Sequence, residues 1–460
     1  MKDELHYYDI YPKVFPVGEE VEITVKPLGY HANFENPENV VLRVLGIEDG
    51  QIRDYPYRNN NQAVDYTLAD DGTITFKKVF EKEQQYFVRF CDKETDKKIL
   101  QLCVYAVNED LCGRYPLMGD LHMHTCRSDG HEAPAIVCAN YRKHGYDFFA
   151  ITDHERYYPS LEAINAYKDV PIEFNICVGE EVHMPKEGPD FICDPHIVNF
   201  GGNYSVNALV DETDHVIEVG KAKELRSFNG ADCPDVLTAD EFRKEVMALA
   251  ETLDIPEDIE KFTYACMVWI FNHIKKAGGL GIFCHPYWIS NVYHVPENLI
   301  EFVMEKQPFD AFEVLGGENY YEHNGFQTHK FYEDRAKGRK YPIVGSTDSH
   351  SSIESNENAY VASTMVFSPA NEKDAIIDSI KNFYSVAIDG ISKEFRLVGD
   401  LRLSKYACFL LREFFPLHDD LCYEEGRAMK DYVCGVEGAK ETLEFLSGRM
   451  KKQREKYFKF

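Results

Sequence analysis

The chain has 460 residues, 44% of them hydrophobic and 28% charged, with a formal net charge of −28 at pH 7. Its length exceeds what one hydrophobic core usually supports, so about two or three domains are expected, and its apolar content excludes wholesale disorder. The acidic charge excludes a general affinity for long duplex nucleic acid, because phosphate binding depends on Lys and Arg displacing counterions.

The sequence also limits the compartment and the partners. It contains no apolar run of roughly 18 residues, and its first residues lack the basic-then-apolar order of a secretory signal, so no membrane partner is expected. The thirteen Cys are scattered without a Cys-x-x-Cys pair, which is typical of reduced thiols. We therefore expect a soluble cytoplasmic protein.

Residues 1–114 are predicted to form an all-β accessory domain. Five β-rich segments are separated by polar turns; they are VEITVKPL, NVVLRVLGI, TITFKKVF, QQYFVRFC and ILQLCVYAV. Short strands at this spacing indicate an immunoglobulin-like sandwich. The segments carry no visible chemistry, so we expect a stabilising or assembly role.

Residues 115–390 change to short apolar runs followed by helical segments, which predicts a parallel sheet covered by helices. An acidic insertion at about 203–256 is expected to lie outside this domain as a cap or flap. The aromatic and aliphatic helix at 257–276 is expected to be core packing. The last segment, 391–460, is predicted to be mainly helical.

Each apolar run of the middle domain ends or begins at residues that can bind a metal ion. These residues are Asp120, His122, His124, Asp153, His154, Glu180, Glu181, His183, His196, His285, Glu313, Asp348 and His350. In barrels of alternating strands and helices such positions converge at one end. Imidazole and carboxylate ligands together favour Zn, Mn or Fe over Ca or Mg, and this many ligands need two or three ions.

Spacing within these motifs has a physical meaning. Residues two apart on a strand share a face, so His122 and His124 can bind one ion or adjacent ions, and Asp348 with His350 repeats the geometry. Asp120 and Asp153, each next to a potential ligand, are expected to orient an imidazole. Two nearby thiols, Cys193 and Cys284, are expected to be buried structural residues.

Four motifs resemble the signature of the PHP (polymerase and histidinol phosphatase) family of metal-dependent phosphoesterases. They are DLHMHT at 120–125, SDG at 128–130, ITDH at 151–154 and DSH at 348–350. The resemblance covers roughly 115–390 and excludes the N-terminal sandwich, the insertion and the helical tail. It implies an α/β fold with a distorted seven-stranded β/α barrel, and a centre of two or three metal ions that hydrolyses phosphate esters.

The resemblance also implies nine metal ligands. They are His122, His124, Asp129, His154, Glu181, His196, His285, Asp348 and His350. Glu181 resembles the carboxylate that bridges two metals. His131 is the alternative to Asp129, while Glu313 and His183 are open between direct ligation and a supporting role. We expect Glu181, Asp348 and His350 to act in catalysis, with His350 or a neighbouring acid protonating the leaving oxygen.

The expected reaction is hydrolysis of a phosphate ester on a small phosphorylated metabolite or nucleotide. A hydroxide bridging two metals, with the pKa of its parent water lowered toward about 7, would attack phosphorus. A phosphoric monoester hydrolase is expected first, and a phosphodiesterase or exonuclease is the further option. Arg127 and Arg156 are expected to bind the phosphate, while Tyr287 and Trp288 could narrow the mouth or stack on a base.

Two other functions stay open. Metal-dependent C–N hydrolases of the amidohydrolase type also place His-x-His after their first barrel strand, but they add a Lys that bridges the metals. This chain offers Glu181 and His196 at the corresponding strand ends. The other alternative is a non-catalytic metal-binding or assembly protein, against which the complete set of ligand-competent residues argues.

Overall fold

The computed structural model describes residues 4–29, 32, 34, 37–49, 63–184, 192–211, 233–316, 321–353, 359–390 and 396–460. They form a mixed α/β protein with several sheets. The chain divides into two compact units: Met1–Tyr115 with Leu401–Leu421 and Gly448–Phe460, and Pro116–Asp400 with Cys422–Ser447. The helices of the last segment thus belong to both units, and the division at 114 and 390 stays a prediction.

Two β-sheets share one core in the first unit. One sheet contains Tyr8–Tyr11, Glu20–Pro27, Ile74–Val79 and Thr67–Leu68; the other contains Val14–Pro16, Lys98–Val107, Gln84–Asp92, Val40–Gly46 and Ala63–Val64. Alternate residues such as Ile23, Leu42 and Val88 are buried between them. All five strand segments predicted from alternation are present. The immunoglobulin-like topology stays a prediction.

Helices complete the first unit. Its α-helices are Glu4–Tyr7, Leu401–Glu413, Arg449–Tyr457 and the start of Phe415–Val433, and its short 3-10 turns are Pro37–Asn39, Ile47–Asp49 and Glu109–Leu111. Tyr406 and Phe409 pack their rings on Tyr105, with centroids 4.9 and 5.3 Å away.

No helix in the described part of either unit has the length and hydrophobicity that a membrane span requires.

Seven strands of the second unit position the candidate site. They are β1 (Tyr115–Asp120), β2 (Phe148–Ala150), β3 (Gly179–Val182), β4 (Ile197–Phe200), β5 (Leu280–Phe283), β6 (Ala311–Leu315) and β7 (Ile343–Gly345). β1 pairs with β2 and β5 to β7 pair in order, all in parallel, whereas β4 is antiparallel to both neighbours, β3 and β5. The expectation of a parallel sheet was therefore wrong at β4, and also where Ala362–Ser368 pairs antiparallel with Ser385–Asp389.

Two isolated parallel bridges join β1 and β2 to the β3–β7 sheet. They link Met123 with Ser349 and His154 with Glu181. The β1–β2 sheet extends further through Asn175–Cys177, Ala362–Ser368, Ser385–Asp389 and Arg396–Val398, and a two-stranded pair, Val210–Asp211 with Leu237–Thr238, lies in the insertion. Because of the bridges, the segments after β1, β2 and β7 meet the end of β3 at one edge.

The helices of the second unit bury apolar side chains. They are Pro134–Lys143, Tyr158–Tyr167, Ala239–Ala250, Lys261–Lys276, Glu297–Lys306, Tyr321–Ala336, Lys373–Lys381, Ala439–Leu446 and the end of Phe415–Val433. The helix predicted at 257–276 starts at Lys261, where the Glu260 carboxylate accepts two backbone NH groups, and is core as expected. Phe242 of the insertion packs on Trp269, so this part of the insertion joins the same core. Its role as a cap stays a prediction.

Candidate metal centre

The nine predicted metal ligands lie together at one edge of β1–β7. Loops after β1, β2, β5 and β7 carry seven of them, Glu181 lies within β3, and His196 directly precedes β4. His196 reaches the same edge because β4 runs in reverse, which puts its start beside the ends of β3 and β5. The structure therefore brings the predicted residues together, while their roles as ligands stay predictions.

Glu181 is the centre of the cluster, with a carboxylate that is fully buried. Six imidazoles surround it, three on each oxygen. Those facing Oε1 are His122, His196 and His285, at 3.4, 2.7 and 3.2 Å. Those facing Oε2 are His124, His154 and His183, at 3.6, 2.5 and 3.5 Å. A carboxylate with a separate nitrogen set on each oxygen can be shared by two cations.

An inner group forms around Oε1 of Glu181. Asp348 contributes to it with Oδ1 3.2 Å from His122 Nε2 and Oδ2 3.7 Å from His285 Nε2. Cys284 is buried as expected, but its sulfur lies 3.9 Å from Glu181 Oε1 and belongs to a group of potential ligands with His122 and His285. Cys284 therefore lies at the cluster, and its role as a structural thiol stays a prediction.

An outer group is more open to solvent. The Asp129 carboxylate, 56% exposed, lies 3.4 Å from His154 Nε2 and 3.3 Å from His350 Nε2, and His124 completes the set. His131 is exposed, and its backbone NH donates to the carbonyl of His350. Of the two alternatives in this loop, the structure therefore places Asp129 at the cluster.

Two carboxylates outside the predicted set hold imidazoles in place. Glu313 lies with Oε2 3.0 Å from His122 Nδ1, and its Oε1 accepts the backbone NH of His285 at 3.2 Å. Asp194 lies with Oδ2 2.9 Å from His183 Nδ1. Such partners fix the tautomer and orientation of a metal-binding imidazole. Glu313 thus takes the supporting role left open by the sequence.

The expected orienting role of Asp120 and Asp153 was wrong. Asp120 accepts from the backbone NH of His122 and from the NH and hydroxyl of Thr347. Asp153 accepts from Thr125 and Ser128. Both carboxylates therefore brace the loops that carry the imidazoles instead of contacting the rings, because the adjacent loop backbones lie closer than the ring nitrogens.

Charges in the cluster oppose the effect of burial. Burial lowers the pKa of His124 and of His196 to about 3. Burial acts in the same direction on His154, yet the carboxylates of Glu181 and Asp129 raise its pKa to about 10. His183 likewise reaches a pKa of about 9 through Asp194 and Glu181, despite burial. A cation bound by His154 or His183 at neutral pH must therefore displace a proton.

The donor set fits divalent cations. Three of the buried side-chain atoms without a hydrogen-bond partner belong to this cluster: His124 Nδ1, His196 Nδ1 and Glu181 Oε2. Ring nitrogens also face each other, His122 Nε2 and His124 Nε2 at 3.3 Å, and His154 Nδ1 and His183 Nε2 at 2.8 Å. Buried polar atoms normally have partners, and cations bound between these rings and the carboxylate would supply the missing ones.

Backbone conformation is unusual at two predicted ligands. His285 has a φ of 26° and Asp348 has a φ of 49°, in the left-handed region that residues other than Gly rarely adopt. Such strain costs about 1–3 kcal/mol per residue and persists only where surrounding contacts enforce it. The contacts here are those with Glu181, Glu313 and the neighbouring imidazoles.

The residues expected to bind substrate differ in placement. Arg127 is held by Glu162 through two hydrogen bonds of 2.8 and 2.9 Å, with both side chains partly exposed. Arg156 is partly buried and has no ion pair in the described part of the chain. Trp288 lies beside the cluster, 5.9 Å from the His196 ring, whereas Tyr287 packs on Tyr293. Phosphate binding by either arginine stays a prediction.

No protein-family model matches the chain, and no curated protein matches it. A two-domain protein from Bacteroides vulgatus, described as containing a predicted PHP-like metal-dependent phosphoesterase, has 16% identity and a TM-score of 0.37 over 60% of this chain and 65% of that one. The match thus spans less than two thirds of the length of that protein.

Two further solved structures are similar over about half of this chain. A Bifidobacterium adolescentis protein, described provisionally as a metal-dependent phosphoesterase, has 15% identity and a TM-score of 0.31 over 53% of this chain and 92% of that one. An amidohydrolase from Chromobacterium violaceum, with bound sulfate and no metal, has 20% identity and a TM-score of 0.30 over 52% and 89%. At such TM-scores the likenesses decide nothing about function, which must be argued from the site.

Proposed function

We propose that this chain is a metal-dependent hydrolase of phosphate esters, acting on a small phosphorylated metabolite or nucleotide. The observation that carries the proposal is the central carboxylate of Glu181, with three imidazoles facing each of its oxygens. Asp348 adds a carboxylate to the inner group, and Asp129 adds one to the outer group. Phosphate esters require several positive charges close together, since the phosphoryl group is itself anionic. A centre of two or three ions meets that requirement.

The proposed architecture is a distorted seven-stranded barrel formed by β1–β7. Its support is the pairing of β1 with β2 and of β3 to β7 in chain order, together with the two bridges at Met123–Ser349 and His154–Glu181 that join the two sheets. In such a barrel the segments that follow the strands form one mouth. The ligand residues at this edge would line it.

Bound Zn, Mn or Fe would neutralise phosphoryl oxygens and lower the pKa of a coordinated water toward about 7. The buried Glu181 and the partly exposed Asp348 would hold these cations, and Glu313 holds the His122 ring in its orientation. His350, whose side chain is 35% exposed and whose Nε2 faces Asp129, lies at the open end of the cluster. We assign it the transfer of a proton to the leaving oxygen.

The competing C–N hydrolase function is less well supported by the same residues. Every ion-pair partner of Glu181 and Asp348 among the described residues is an imidazole, and no Lys contacts either carboxylate. A Lys that bridges metals in such hydrolases has therefore no counterpart in the described cluster. The phosphate-ester function is the one we carry forward.

A substrate panel tests the proposal. The full chain, loaded with Mn or Zn, is assayed on an aryl phosphate, nucleotides, nucleoside bisphosphates, short and long oligonucleotides, and cyclic and acyclic amides. We expect hydrolysis of the aryl phosphate and of a small phosphate ester, abolished by chelator and by His154→Ala with the fold intact. Activity confined to C–N bonds, or to long strands, or no turnover with metals bound, would contradict it.

A further inference from the structure

The imidazole of His183 adds a tenth potential ligand to the nine that the family resemblance implies. It directly follows β3 and stands two residues after Glu181, so both side chains leave the same face of the chain. The ring is 6% exposed, and its Nε2 lies 3.5 Å from Glu181 Oε2 and 2.8 Å from His154 Nδ1. These three side chains form one of the groups that could hold an ion.

Asp194 fixes the other side of the His183 ring. Its Oδ2 lies 2.9 Å from His183 Nδ1, and its Oδ1 accepts the backbone NH of Met184 at 3.0 Å. Both side chains are buried. An ionised carboxylate can only accept, so Nδ1 of a neutral His183 carries the proton and Nε2 presents its lone pair toward Glu181 and His154.

Hydrogen bonding does not satisfy every atom of this arrangement. A proton on His154 Nδ1 can be donated to His183 Nε2, 2.8 Å away. Glu181 Oε2 lies 2.5 Å from His154 Nδ1, yet it is buried and has no hydrogen-bond partner. One cation that accepts the lone pairs of all three atoms would satisfy this oxygen.

His154 also has two possible duties. Its Nε2 faces Asp129 of the outer group at 3.4 Å, while its Nδ1 faces Glu181. A neutral imidazole offers a single lone pair, so it can bind a cation in one group only. When His154 binds a cation of the outer group, a cation at Oε2 of Glu181 lacks that nitrogen ligand. His183 is placed to supply one instead.

We propose that His183, oriented by Asp194, is a metal ligand at the Oε2 side of Glu181. This inference rests on the metal centre of the proposed function and not on the bond that the centre cleaves. It therefore stands even if the chain proves to hydrolyse something other than a phosphate ester.

Metal titration tests the ligand role directly. The full-length chain is stripped with a chelator and titrated with Zn²⁺ against a chromogenic competitor, and bound metal is counted by mass spectrometry. His183→Ala is expected to lose one metal equivalent or to weaken one site at least about tenfold, and Asp194→Asn to weaken it by about 10–100-fold. The matched control is His131→Ala, an exposed His two residues beyond another predicted ligand, which should bind metal like the parent.

Thermal unfolding separates ligation from a structural role. A ligand variant is expected to show a smaller rise in Tm on adding Zn²⁺, since the metal stabilises the folded chain in proportion to its affinity. A variant that lost only packing would show a lower Tm in chelator and the full metal-dependent rise. If His183→Ala does not fold, His183→Gln with Asp194→Asn makes the same comparison.

Unchanged metal content, affinity and metal-dependent rise in Tm in both variants would overturn the proposal, whatever happens to activity. A metal-loaded parent chain without phosphatase activity would instead count against the proposed function alone. The two failures are therefore distinguishable within one set of samples.

Discussion

The two sides of β3 place two neighbouring carboxylates in contrasting surroundings. Glu180 and Glu181 are adjacent, and both are fully buried. Glu180 accepts hydrogen bonds from Asn199, Ser205 and the Val206 NH at 3.0, 2.6 and 2.5 Å. Among the described residues, the polar groups that face the Glu181 carboxylate are imidazoles and the Cys284 thiol. One carboxylate is satisfied by neutral donors, while the other is surrounded by groups that bind cations.

The pKa values of the pair differ in the same sense. Burial raises the pKa of Glu180, and its neutral donors offset this only in part. Burial acts on Glu181 as well, yet the imidazoles, led by His196 and His154, hold its pKa well below the usual range. The difference teaches that burial does not decide whether a carboxylate is structural or metal-binding; the charge and lone pairs of the groups facing it do.

The largest effect is expected from Glu181→Gln. The substitution removes the negative charge of the carboxylate that lies between the two groups of imidazoles. The metal centre then loses several kcal/mol of stabilisation, which corresponds to a fall of about 10³-fold or more in kcat/KM. Bound metal per chain should fall as well, measured on the same sample. Glu180→Gln is the matched control on the opposite face and should keep both. Full metal content and activity in Glu181→Gln would end the assignment of Glu181 as the shared ligand.

Acid should weaken metal binding. His154, with a pKa of about 10, and His183, with a pKa of about 9, are protonated at pH 7 in the metal-free chain, so metal competes with their protons. Affinity should rise about tenfold per pH unit for each proton displaced, from pH 6 upward until these pKa values are passed. Calorimetry in buffers of different ionisation enthalpy counts the protons. Glu181→Gln should flatten the dependence, whereas a pH-independent affinity of the parent would contradict it.

Glu180→Ala should affect stability and not metal content. It leaves Asn199, Ser205 and the Val206 NH without their acceptor, at an expected cost of about 2–4 kcal/mol in the free energy of unfolding. Because the folded pKa of Glu180 is raised above its usual 4.5, the free energy of unfolding should fall as pH rises through and above that value. Glu180→Gln should lose this part of the pH dependence. Denaturant titration of the metal-free chains at several pH values measures both effects.

The smallest effects are expected at the two arginines. Arg127 is already engaged with Glu162 and partly exposed, so Arg127→Ala should change the free energy of unfolding by less than about 1 kcal/mol. The KM of the Arg127→Ala variant should rise by about threefold or less. Arg156→Ala, without such a competing partner, should raise KM by about tenfold if it contacts the phosphate. An equal effect on KM from both variants would show that the Glu162 pair does not decide their availability.

Much of the cluster could be predicted because its signal is local. Pairs such as His122 with His124 lie two apart and share a face, and alternation in the N-terminal segments predicts strands for the same reason. The supporting residues lack such a signal: Asp194 stands 11 residues from His183, and Glu313 stands 191 residues from His122. Only the tertiary fold brings them together.

The reversed strand β4 was equally invisible in the sequence. A short apolar run such as Ile197–Phe200 carries no mark of its direction, because pairing is decided by the neighbours. Its reversal explains why His196 precedes its strand when the other ligands stand within or after theirs. His183, whose role the sequence left open, also carries a local signal, since it shares a face with Glu181.

The left-handed backbone at His285 and Asp348 has an evolutionary consequence. These positions favour Gly on conformational grounds, so His and Asp there reduce stability. A descendant freed from selection for binding would gain stability by replacing them with Gly. Among relatives of this chain, Gly at these two positions should therefore mark lineages that have lost their metal ions.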